Sequence, residues 1–97
     1  MAHKIQVVYT EHLKRRLIFR RIPYSLPEEI FHQATERFYD YATMRHIAVM
    51  AVQYRGKRRW MMIAYDVFPD RVEIVTIHPI ERKQIQQRLL SGRWIYE

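Results

Sequence analysis

The sequence contains no cysteine. Disulfides, thiolate metal sites and nucleophilic cysteine chemistry are therefore excluded, and the absence fits a reducing compartment. Glycine occurs only twice, at Gly56 and Gly92, and neither lies in a phosphate-cradling loop pattern. Carboxylates are scarce, with ten Asp and Glu against seventeen Lys and Arg; so basic a chain is a poor host for paired-carboxylate glycoside chemistry. No apolar run approaches the roughly 20 residues of a membrane-spanning helix. The N-terminus does not read as a secretory signal. The chain is therefore expected to be cytoplasmic, with no membrane partner.

Histidine occurs at positions 3, 12, 32, 46 and 78, and no two are spaced i, i+3 or i, i+4. A zinc centre needs three or four convergent ligands, so neither a metal nor another cofactor is expected. No Ser-His-Asp set can be assembled.

What the chain does carry is a formal net charge of +7. A net positive field draws polyanions and speeds their encounter. Nucleic acid is the first candidate partner, and an acidic protein the second. The cations cluster in two places. Lys14, Arg15, Arg16, Arg20 and Arg21 cover the polar side of a helix predicted over 11–21, while Arg55, Lys57, Arg58 and Arg59 surround a turn at Gly56. Mobile cations of this kind suit phosphate contacts, and Trp60 beside the second cluster could stack on an exposed base.

Ninety-seven residues make one small domain, spanning 1–97. Its organising stretch is Arg58 to Ile80, where two runs of strand character flank Phe68-Pro69-Asp70. Pairing Val67 with Arg71 sets Trp60 opposite His78 and leaves both faces apolar, so each face needs a cover. Lys4 to Thr10 reads as a short strand, and Thr10 is placed to cap the helix after it. In that helix Leu13, Leu17 and Ile18 form the apolar stripe. Ser25-Leu26-Pro27-Glu28 matches a capping box, which predicts a second helix over 26–39. Arg45 to Tyr54 is a third strand of the meander, and 81–90 a final helix. The order is β-α-α-β-β-β-α, an α+β domain with an antiparallel meander sheet.

Thr10-Glu11-His12 with Arg15-Arg16, then Tyr54-Arg55-Gly56-Lys57, then Thr76-Ile77-His78-Pro79-Ile80 resemble small domains grouped with the RelE/ParE-like toxin superfamily. The resemblance spans about residues 10–94. It implies a RelE/ParE-like α+β fold and a toxin-like domain that meets RNA or the ribosome. Members include metal-free, ribosome-dependent mRNA endonucleases, gyrase inhibitors and domains with no assigned activity. The nucleases use basic side chains and often a tyrosine near the C-terminus; Arg82, Arg88, Arg93 and Tyr96 are the loose counterparts here. The resemblance also implies an acidic antitoxin-like partner.

Phosphodiester cleavage needs a base for the 2′-hydroxyl, an acid for the leaving oxygen and cations for the developing charge. His78, at the end of the last meander strand, is the candidate base or acid. Arg59, Arg88 and Arg93 are the candidate phosphorane-stabilising cations. His12 becomes a second proton carrier if the first and last strands run parallel. The alternative reading is a non-catalytic module that forms a homodimer or binds an acidic protein segment.

Overall fold

A computed structural model describes residues 5–97. The elements are β1 (Gln6–Tyr9), α1 (Glu11–Arg20), α2 (Leu26–Gln33), β2 (Glu36–Asp40), β3 (Arg45–Tyr54), β4 (Lys57–Val67), β5 (Arg71–Pro79), α3 (Arg82–Leu90) and β6 (Trp94–Tyr96). The strands form one mixed sheet in the order β1-β5-β4-β3-β2-β6. β1 lies parallel to β5, and all other pairings are antiparallel. The α+β class and the β3-β4-β5 meander are as expected. Lys4, placed in the first strand by sequence, lies outside the described residues.

Each face of the sheet is covered. Leu13 and Leu17 of α1 and Leu26 and Ile30 of α2 pack with Ala48, Met61, Ile63, Ile74 and Ile77. On the other face, Ile80 and Ile85 of the α3 segment pack with Phe38, Ile47, Val49, Met62 and Trp94. β4 shows how one strand feeds both layers: Met61 and Ile63 join the first cluster, Met62 and Ala64 the second. The β3–β4 turn is closed by Arg55 and Gly56 with φ of 53° and 74°. Two positive φ values are what a type I′ hairpin requires.

Four expectations need correction. The second helix stops at Gln33 rather than Tyr39, and Glu36–Asp40 is instead strand β2, paired to β3 on one side and β6 on the other. Phe38 fits helical spacing from Ile30 and Ala34, but it fits equally the inward position of a strand opposite Ile47. The sheet's demand for a neighbour on β3 overrides the local pattern. The Ser25 capping box does not form. The hydroxyl of Tyr9 accepts from the Glu28 N–H (3.1 Å) and donates to the Tyr24 carbonyl (2.7 Å), satisfying the helix start from another element. Ile18 is not in the apolar stripe; it is 82% exposed and Phe19 84%.

The fourth correction matters most for the site. Val67 pairs with Val72, not Arg71, and His78 lies opposite Met62, not Trp60. The register shifts between Ala64 and Tyr65, leaving Val75 as an extra residue in β5. Such a bulge reverses which face the following residues occupy. Val72 and Ile74 point to the α1/α2 layer, but so does Ile77, which sends Thr76 and His78 to the α3 side. Thr10 sits at this bulge: its N–H donates to Ile74 O (3.2 Å) and its hydroxyl to Val75 O (3.3 Å). The same hydroxyl accepts from Leu13 N–H at 3.2 Å, capping α1 as expected.

Candidate functional site

The two cationic clusters meet. α1 buries Leu13 and Leu17 and turns His12, Arg15, Phe19 and Arg20 outward around a shallow concavity, with Arg16 half-buried beside them. Arg21 ends the helix in the left-handed conformation (φ 54°), and its N–H returns to Ile18 O at 3.2 Å. The Arg20 carbonyl is then free to accept from outside the helix. Tyr54 Oη and an Arg55 guanidinium nitrogen both donate to it, each at 3.3 Å. These bonds fasten the β3–β4 hairpin to the end of α1, so residues 35 apart in sequence share one surface.

That surface is not neutralised. Ion pairs occupy Lys14 (with Glu11), Arg45 (Asp66), Arg71 (Asp70 and Glu73), Arg82 (Glu36) and Arg93 (Asp40). Among the described residues, Arg15, Arg16, Arg20, Arg21, Arg55 and Lys57 have no carboxylate partner, and neither do Arg58 and Arg59 further along β4. Trp60 is half-buried with the Arg82 guanidinium 4.7 Å from its ring centre. Its face is covered by a cation rather than open to a base.

On the α3 side of the sheet, a cavity of about 140 Å³ gathers three of the five candidate catalytic residues, His78, Arg88 and Arg93, with Arg45, Thr76 and Asp40. Asp40 is 2% exposed and holds Arg93 by two bonds of 3.0 Å, one to each carboxylate oxygen. It also accepts from Ala42 N–H (2.9 Å) and Thr43 Oγ1 (3.1 Å). Burial alone would raise its pKa; the Arg93, Ala42 and Thr43 bonds outweigh burial and hold it at about 2. Arg93 is therefore committed to a structural pair. Arg88 is not: its guanidinium lies 4.9 Å from the Trp94 ring centre and 3.8 Å from Met62 Sδ. Neither neighbour neutralises it. Burial and the adjacent Arg93 pull its pKa down, and Asp40 opposes them in part.

Met62 is the cross-strand partner of His78, so Arg88 leans toward the imidazole across one sheet position. His78 Nδ1 donates to Pro79 O at 3.1 Å. A neutral ring in that tautomer keeps the Nε2 lone pair free. Burial lowers the His78 pKa, Arg16, Arg88 and Arg20 lower it further, and the Pro79 bond opposes them in part. The imidazole is thus neutral and base-competent near pH 7.

Two candidate catalytic residues lie elsewhere. Arg59 lines a separate cleft of about 430 Å³ with Trp60, Pro79, Ile80 and Arg82. β1 does run parallel to β5, yet His12 lines the α1 concavity while His78 lines the α3-side cavity. Sequence reading missed Asp40, Arg45 and Thr76 at this cavity. Thr76 was within reach, since it stands two residues before His78 on the same face; Asp40 carries no local signal. Among the described residues no three His, Asp or Glu side chains are grouped to hold a metal, and no helix is long and apolar enough to cross a membrane.

No protein-family model, curated protein or solved structure matches this chain.

Proposed function

We propose that this α+β domain is a toxin-like RNA- or ribosome-binding domain of the RelE/ParE-like kind, with the His78 cavity as the centre of a metal-free endoribonuclease activity. The observation that carries the binding part is the union of α1 and the β3–β4 hairpin through the Arg20 carbonyl, which joins into one face two cationic segments whose arginines have no carboxylate partner among the described residues. A polyanion laid across that face gains counterion release at every phosphate it meets. The cleavage part is supported by a neutral His78 with its Nε2 lone pair free and an unpaired Arg88 at the same cavity.

The test is RNA affinity across a salt series. Replacing Arg15, Arg21, Arg55 and Lys57 with alanine removes four exposed cations, and Tyr54 still ties the hairpin to the Arg20 carbonyl, so the fold should persist. For single strands the log–log salt slope changes by about 0.7 per phosphate contact. The variant should therefore bind more weakly at every sequence, with a slope shallower by roughly 3. An unchanged slope rules this face out as the contact surface.

One observation favours the second reading, a non-catalytic module bound to an acidic antitoxin-like protein. Ile18 and Phe19 are exposed on the same helix as the arginines, and a phosphate backbone held by those arginines gives the two apolar side chains little to bury. An acidic segment with apolar anchors would use both. Ile18→Ser with Phe19→Ser separates the readings: RNA affinity unchanged with protein capture lost supports the module.

A further inference from the structure

We propose that the cavity between the sheet and α3 is a seat for one phosphate monoester group, gripped by Arg88 and lined by Arg45, Thr76 and His78. The group is free phosphate or the phosphate at a chain end. The inference deepens the reading above and rests on it only for which chain would carry the phosphate.

Three features of the cavity select this ligand. The first is charge. Arg88 is a half-buried cation whose close partners, among the described residues, are a thioether and an indole face. A desolvated charge without a counter-ion is costly, and an incoming anion relieves that cost. The charge of Asp40, the carboxylate on the wall, is offset by Arg93, whose guanidinium donates to both of its oxygens.

The second feature is size. About 140 Å³ is less than half of the roughly 300 Å³ at which pockets begin to enclose whole small-molecule ligands. A tetrahedral oxyanion fits inside; a whole nucleotide does not, so any nucleoside attached to the phosphate lies outside the cavity mouth. The third is the set of polar groups. The Arg88 guanidinium offers a planar pair of donors that suits two phosphate oxygens. The Thr76 hydroxyl can donate or accept, and the free Nε2 of His78 can take a hydrogen bond from a protonated phosphate oxygen.

The experiment uses the full chain at pH 7 with inorganic phosphate, against sodium chloride of equal ionic strength. Histidine ring resonances are followed by NMR alongside thermal denaturation. The His78 signals should shift saturably, well ahead of those of His12 and His32, and the melting temperature should rise with phosphate concentration. Arg88→Gln should abolish both responses. The Arg15→Ala, Arg21→Ala, Arg55→Ala, Lys57→Ala variant should keep both while losing RNA affinity, which separates this seat from the RNA-binding face. Short RNAs with and without a terminal phosphate monoester identify the source. About tenfold tighter binding of the phosphorylated RNA, lost in Arg88→Gln, assigns the seat to chain ends; equal binding with a retained inorganic-phosphate response assigns it to free phosphate. If phosphate moves the wild-type His78 signals no more than chloride does, the proposal is wrong; this measurement needs no variant to fold. An undiminished response in folded Arg88→Gln also overturns it.

Discussion

Replacing Asp40 with asparagine tests how the cavity is held together. The carboxylate is buried under β6, opposite Trp94 in the sheet, and bridges to Arg93 with two 3.0 Å bonds. Its folded pKa of about 2, against an ordinary 3.8, means the unfolded chain takes up a proton first as the solution is acidified. The stabilisation is therefore complete above about pH 5 and is lost as the pH falls toward 2. At 1.36 kcal/mol per unit, this amounts to about 2 kcal/mol. Asparagine keeps the shape but leaves Arg93 facing a neutral amide, so the variant should be less stable by about that amount at pH 7. For a domain of this size, that is a melting temperature lower by roughly 10 °C. Urea denaturation of both proteins from pH 7 to pH 2 gives the decisive curve. The wild type should lose its advantage progressively below pH 5, and the gap should shrink to a few tenths of a kcal/mol by pH 2. A gap still near its full size at pH 2, or no gap at pH 7, would refute the assignment of the low pKa to this pair.

Two further outcomes follow from other bonds. His78→Ala should reduce any RNA cleavage by about 10²–10⁴-fold while leaving affinity nearly intact; because the wild-type imidazole is held neutral, cleavage by the wild type should persist to pH 6.5 and fall only under more acidic conditions. Tyr9→Phe removes the hydroxyl that serves both Glu28 N–H and Tyr24 O, and stability in urea should drop by about 2 kcal/mol, with Ser25 unable to substitute.

The legible parts of this fold were those that local chemistry decides. The two-strand stretch around Phe68-Pro69-Asp70, the Thr10 cap, the positive-φ turn at Arg55-Gly56 and the strand end at Pro79 all depend on residues within a few positions of one another. The errors came where distant elements decide. Helix and strand spacing coincide at Ala34 and Phe38, and only the empty edge of β3 chooses between them. The Ser25 box lost to Tyr9, a side chain 19 residues before Glu28. β6 is three residues long and has no periodicity to read. At the site, the meeting of His78, Arg88 and Arg93 in one cavity was legible because α3 starts where β5 ends, while Arg59 and His12 lie elsewhere. Asp40 was not, since nothing near it announces that Arg93 will arrive from 53 residues away.

The Val75 bulge explains how a basic helix on one side of the sheet and a cavity on the other act on the same imidazole. Without the extra residue, His78 would continue the alternation of Val72 and Ile74 and be buried in the apolar α1/α2 layer. With it, the ring moves to the α3 side and meets Arg88 over Met62. Thr10 donates to the bulge and caps α1 with the same hydroxyl, so the position of α1 along β5 is set at the point where the strand changes face. Arg16 and Arg20, nearly two and nearly three turns along that helix from Thr10, then lie close enough to His78 to disfavour its protonation, as Arg88 does from the other layer. An anion binding near any of these guanidiniums would weaken that effect and raise the imidazole's proton affinity. Phosphate at the cavity should therefore raise the proton affinity of His78, which a pH titration of its ring resonances with and without phosphate would read.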